Sequence, residues 1–128
     1  MKRLFASTVF AFCVLGSAQA LAQDAAAAQD LYNDNCAICH GNKGEGIAKS
    51  AVPDGAVQVK KLAGDAAYWD FAVFKKTVME GLDDENHPMR VMPVFGKTGL
   101  YEPAGQQLTD QNLKDIQAYM QTFGPKEE

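Results

Sequence analysis

The five residues Cys36-Ala37-Ile38-Cys39-His40 constrain this chain more than any other segment. Two thiols are separated by two residues and an imidazole follows directly, a grouping that few structures use. A thioredoxin-like redox pair places Cys-x-x-Cys beside a βαβ pattern, and no strand alternation of any length flanks this one. A structural zinc site takes four ligands, and outside the motif the only further histidine is His87. A plain disulfide between Cys36 and Cys39 is the remaining alternative.

The spacing reads as a covalent attachment site for one c-type haem, with its iron. Two thiols add across the two vinyl groups of one porphyrin edge, and two intervening residues let the chain span them. His40 then lies beneath the metal as an axial ligand. Covalent attachment also suits a protein that works in a dilute compartment, where free haem would be lost.

The N-terminus places the protein in such a compartment. Lys2 and Arg3 precede an apolar run from Leu4 to Gly16, and small residues follow at Ser17, Ala18 and Ala20. A basic start, an apolar stretch too short to span a bilayer and an Ala-x-Ala site predict a secretory signal peptide over residues 1–22. Cleavage follows Ala20 or Ala22, which leaves a domain over residues 23–128 and a periplasmic location. A retained membrane anchor is the competing reading. No later segment is long and apolar enough to cross a membrane.

This resolves an oddity of composition. The chain has 3 cysteines, an odd number that cannot all pair. Cys13 lies in the apolar run and leaves with it. With 128 residues there is room for one domain. With 12 Lys+Arg against 16 Asp+Glu, the formal charge is −4 and becomes −6 once Lys2 and Arg3 are removed. That balance argues against a nucleic-acid binder.

Three helices are expected. Asp24 caps one that starts in Ala25–Ala28 and sets Ala28, Leu31 and Tyr32 on one face before Asn33–Asn35 weaken it. A second runs from Ala66 to Gly81 with Asp65 as N-cap. A third starts at Thr109, carries Leu113, Ile116, Met120 and Phe123 at helical spacing, and stops at Gly124-Pro125. The connections 41–64 and 82–107 are long for so small a domain and need a non-protein body to order them.

The chain resembles the class I cytochromes c. The likeness rests on Leu31-Tyr32 before Cys36-Ala37-Ile38-Cys39-His40-Gly41, then Met92-Pro93-Val94-Phe95, then Leu108-Thr109-Asp110 to Tyr119-Met120. It implies an all-α fold, three main helices and long loops wrapped around one haem, and an electron-transfer role rather than an enzyme. It also implies Met92 as sixth ligand, since Pro93 fixes the loop's direction. Met89 and His87 are the alternatives. The family commonly has a Gly where its first and last helices cross, and here Ala28 faces Tyr119 instead.

Around the haem, the resemblance implies that the carbonyl of Pro53 orients the His40 ring. Tyr68 and Trp69 are expected to donate to a propionate, although core packing explains them equally well. The implied partners are a redox donor and an acceptor, such as an exported dehydrogenase and a terminal oxidase or another cytochrome, met by a monomeric carrier. The alternative is a dedicated haem subunit of one exported dehydrogenase, motivated by the insertion-like segment Gly96–Tyr101. Lys60-Lys61, Lys75-Lys76 and Arg90 would steer anionic partners if they surround the haem edge.

Overall fold

A computed structural model describes residues 17–47 and 59–128, with the backbone alone for 17–24. In chain order it holds α1 (Ser17–Asn35), α2 (Ala37–His40), a 3₁₀ turn (Ala66–Tyr68), α3 (Phe71–Glu80), α4 (Phe95–Thr98) and α5 (Asp110–Gln121). The described residues contain no strand, only a lone bridge between Leu82 and Pro88. The expected all-α cytochrome-type architecture is present, with two short helices beyond the three main ones.

α5 starts where its local signals place it and ends at Gln121, ahead of the expected stop at Gly124-Pro125, so Phe123 lies beyond the helix in a closing turn. The Thr109 side chain accepts from the Asn112 N–H, and the Asn112 side chain accepts from the Thr109 N–H, a reciprocal cap. Asp110 in the first turn complements the helix dipole. Leu113, Ile116 and Met120 are 1%, 3% and 1% exposed, so the predicted apolar stripe is the buried face.

α1 packs across α5. Ala28 is buried and small enough for a close approach, and Tyr32 is fully buried. The Tyr32 ring meets Tyr119 edge-on at 5.7 Å and Phe123 at 5.0 Å. Such edge-to-face pairs add to plain burial. The described part of α1 already includes Ser17, ahead of the expected cap at Asp24, in keeping with the strong helix formers Ala, Gln and Leu in residues 17–23. A chain cut after Ala22 would carry Asp24 in its first turn.

The expected single helix over 66–81 is broken. Ala66–Tyr68 is a 3₁₀ turn, and the true cap of α3 is Asp70, whose side chain accepts from the Ala72 N–H at 2.8 Å. Asp65 instead accepts from the Trp69 indole N–H at 2.8 Å. The cause lies far along the chain. Gln117 Nε2 donates to the Trp69 carbonyl at 2.9 Å and Gln121 Nε2 to the Ala67 carbonyl at 3.0 Å. Carbonyls held by α5 do not serve a continuous helix. Gly81 ends α3 in the left-handed region, as expected.

The connection 82–107 is not a bare loop. α4 buries Phe95 at 3% exposure and Leu100 follows at 4%. A Cβ on Gly96 would stand 2.5 Å from the Met79 carbonyl, so only glycine lets α4 approach α3 this closely. This corrects the reading of 96–101 as an exposed apolar insertion. Leu100 belongs to the core, and Tyr101, at 50% exposure, is what remains outside.

Candidate haem-attachment site

The attachment turn is built by local hydrogen bonds. The Cys36 N–H donates to the Tyr32 carbonyl at 2.8 Å, which carries α1 directly into the motif. The Cys36 carbonyl then accepts from the N–H groups of Cys39, at 3.2 Å, and His40, at 3.0 Å. On one helical turn, residues three apart share a face, so the two sulfurs project to the same side. Both thiols are free, Cys36 half-buried and Cys39 exposed. Burial, with Cys39 adding to it, pushes the Cys36 thiol up to about 12.

His40 is held from behind. Its Nδ1 lies 3.0 Å from the Lys60 carbonyl. A carbonyl only accepts, so Nδ1 carries the hydrogen and Nε2 keeps its lone pair. Burial lowers the His40 pKa, the Lys60 bond partly opposing it, and the ring is a neutral ligand in form. A carbonyl behind the ring both fixes its rotation and raises its basicity toward a metal.

The backbone at Lys60 reaches His40 because the two ends of the connection return to each other. Gly46 N–H donates to the His40 carbonyl at 2.8 Å, and Ile47 N–H to the Val59 carbonyl at 3.1 Å. The Gly44 carbonyl accepts from Leu62 and Ala63, at 2.8 and 3.1 Å. Gly46 has φ +65°, and a Cβ there would sit 2.7 Å from the Val59 carbonyl and 2.8 Å from the Lys61 nitrogen. Gly46→Ala should destabilise the holoprotein by about 1–3 kcal/mol, from both backbone strain and displacement of the Lys60 segment. The midpoint of denaturant unfolding reads this, and an unchanged midpoint refutes it.

The carbonyl that orients His40 is therefore one that sequence reasoning did not name. Pro53, the expected residue, lies outside the described residues. Every residue carries a carbonyl, so nothing in the side chain of Lys60 marks it. Gly41 gains a second tie: the buried Tyr32 hydroxyl donates to its carbonyl at 2.8 Å. Burial raises the Tyr32 pKa and keeps the hydroxyl protonated as that donor.

Tyr68 and Trp69 have other acceptors than a propionate. Tyr68 Oη donates to the Gly124 carbonyl at 2.8 Å and Trp69 Nε1 to Asp65. Both rings pack against the core with part of their surface open.

The three sixth-ligand candidates occupy different environments. His87 is 69% exposed at its side chain and faces the Asp83 and Glu85 carboxylates at 3.4 and 3.5 Å. Asp83 Oδ1 also accepts from the N–H groups of Glu85 and His87, which lowers its pKa and closes a surface turn. Met89 ends that turn, its N–H donating to the Gly81 carbonyl at 2.8 Å, and its side chain is half-buried. Met92 is half-buried and packs on the core just ahead of α4. Met79 packs in α3 and Met120 is 1% exposed within α5, so both serve as core.

The cytochrome c family model matches residues 25–124. This chain belongs to the cytochrome c family. No curated protein and no solved structure gives a further match. As a cytochrome c it binds haem c covalently, with iron, and transfers electrons through it. The residues present fit that group. Two free thiols share one helical turn, an oriented imidazole follows, and half-buried Cys36, Ala37, Leu62, Phe71 and Met92 offer apolar surface that the core leaves partly uncovered. No group of three or more His, Cys, Asp or Glu among the described residues converges to hold a metal ion by itself. The cytochrome has no helix among the described residues long and apolar enough to cross a membrane.

Proposed function

We propose that this cytochrome is an exported, periplasmic single-electron carrier whose iron is held between His40 and Met92. The observation that carries the reading is the attachment turn, with two free thiols on one face and an imidazole held at Nδ1 so that Nε2 is available. The haem supplies an iron that accepts and releases one electron. Cys36 and Cys39 would hold the haem, each through one sulfur–carbon bond formed by addition of its S–H across a vinyl group. Met92 is favoured because it is half-buried beside the core and precedes Pro93, whereas His87 faces solvent among carboxylates. With Met92 and His40 as its ligands, the iron would gain a soft thioether donor, which would raise its potential relative to two imidazoles.

Export is supported by the basic start, the apolar run and the Ala-x-Ala sites, and the family match begins at residue 25, beyond both cleavage positions. The partners are a redox donor and an acceptor, such as an exported dehydrogenase and a terminal oxidase or another cytochrome, docked through a small transient interface. Steering by lysine is modest in this reading. Lys61 pairs with Glu127 and Lys75 with Asp110, and Lys76 donates to Asn86.

The test is expression in a bacterium that matures c-type cytochromes, followed by fractionation, N-terminal sequencing and size-exclusion chromatography. A red, monomeric periplasmic protein beginning at Leu21 or Gln23 is the expected result. An uncleaved, membrane-bound chain overturns the localisation. Co-elution with a dehydrogenase at fixed stoichiometry moves the protein from free carrier to subunit.

A further inference from the structure

Asn35, the residue just before Cys36, read in sequence only as a weak point at the end of α1. In the structure it is 4% exposed and its amide is fully used. Nδ2 donates to the Leu31 carbonyl at 3.0 Å and to the Glu102 carbonyl at 2.8 Å. Oδ1 accepts from the N–H groups of Tyr101 at 2.7 Å and Glu102 at 3.1 Å. An Asn side chain has two donor hydrogens and two acceptor lone pairs. All four are engaged, and three of the bonds reach a segment more than sixty residues away.

That segment is part of one folded lobe. Residues 94–106 comprise α4 and a tight return in which Leu100 N–H donates to the Gln106 carbonyl at 2.9 Å and Gly105 N–H to the Leu100 carbonyl at 2.8 Å. The Phe95 and Tyr101 rings meet edge-on at 5.9 Å. Met92-Pro93 enters the lobe directly. Among the described residues, Asn35 makes the only side-chain hydrogen bonds that reach residues 94–107 from elsewhere in the chain.

We propose that Asn35 is a positioning residue that straps the lobe directly following Met92 to the haem-attachment turn and so sets how readily the sixth ligand leaves the iron. This rests on Met92 being that ligand. One end of the strap is covalently continuous with Cys36, and the other end is the lobe that follows Met92. A movement that draws the Met92 segment away from the turn pulls on three buried hydrogen bonds. The strap therefore acts on the opening equilibrium through bonds present in the closed state and lost in the open one.

Imidazole added to the ferric holoprotein tests this, because it binds the iron only where the sulfur has left. Its apparent affinity scales with the open fraction. Asn35→Ala should bind imidazole about tenfold more tightly than wild type, the effect of losing buried, satisfied hydrogen bonds from one state only. Hydrogen exchange at the Tyr101 and Glu102 amides should accelerate by about the same factor. Asn35→Asp keeps the acceptor half of the strap but sets a carboxylate oxygen against the Leu31 and Glu102 carbonyls, so it should also bind imidazole more tightly than wild type, and it gives a second variant if the alanine one folds poorly. Gln121→Ala removes a comparable long-range bond, to the Ala67 carbonyl at 3.0 Å, and should leave imidazole affinity at the wild-type value.

Equal imidazole affinity in wild type and Asn35→Ala overturns the proposal, as does an equal gain in Gln121→Ala. A wild-type protein without a sulfur–iron charge-transfer band overturns the ligand reading itself and the coupling with it. Exchange at Tyr101 and Glu102 separates the two failures, since unaltered rates in Asn35→Ala refute the strap whatever the ligand is.

Discussion

Met92→Ala should abolish the sulfur–iron charge-transfer band of the ferric protein and lower the reduction potential by on the order of 100 mV, a fraction of the ~0.8 V that axial ligands span. The physical cause is the softness of the thioether. It donates weakly to Fe(III) and stabilises Fe(II), so a water or nitrogen ligand in its place favours the oxidised state. Met92 is only half-buried, and its truncation leaves Leu113, Ile116 and Met120 packed as before. Far-UV circular dichroism should accordingly change little while the potential moves. Met89→Ala is the internal comparison and should keep the band. Loss of the band in Met89→Ala and its survival in Met92→Ala would transfer the ligand role to Met89. A variant of His87 should alter neither observable, since its ring lies among the Asp83 and Glu85 carboxylates.

Removing either attachment cysteine should have a comparably large effect on a different observable. Cys36→Ser and Cys39→Ser each delete one thioether, so one vinyl group stays unsaturated and the pyridine haemochrome spectrum shifts to longer wavelength. The double variant should release its haem into acidified organic solvent, whereas wild type retains it. The two single variants should differ in stability. Cys39 is exposed and tolerates a hydroxyl, while Cys36 is half-buried and a serine there needs a hydrogen-bond partner. An unsatisfied hydroxyl adds about 1–3 kcal/mol of destabilisation. Cys36→Ser should therefore unfold at lower denaturant than Cys39→Ser. An unchanged haemochrome spectrum in both variants rejects covalent attachment at these residues.

Much of the fold was legible where the signal is local. The cap at Thr109, the stripe Leu113-Ile116-Met120 and the stop at Gly81 all act within a few residues of themselves. Periodicity and cap chemistry report on such short spans. The break at Trp69-Asp70 was not legible, because Gln117 and Gln121 take the carbonyls that a continuous helix would have used. α4 escaped notice for a related reason. Four residues show no periodicity, and the burial of Phe95 and Leu100 depends on Gly96 lying against Met79. The expectation of an exposed insertion at 96–101 followed from reading the segment without that contact.

Within the site the same division holds. The chemistry of attachment was legible in five consecutive residues, since two thiols three positions apart on one helical turn share a face without help from elsewhere and the imidazole follows directly. The tertiary structure decided how that turn is held. It chose the Lys60 carbonyl for His40, brought the Tyr32 hydroxyl to Gly41, and turned Asn35 from a helix-end residue into a three-bond clasp on Tyr101 and Glu102. The physical reason is that backbone carbonyls and N–H groups are the same at every position. Their partners are selected by which segments meet in space, and a side-chain pattern carries no record of that meeting.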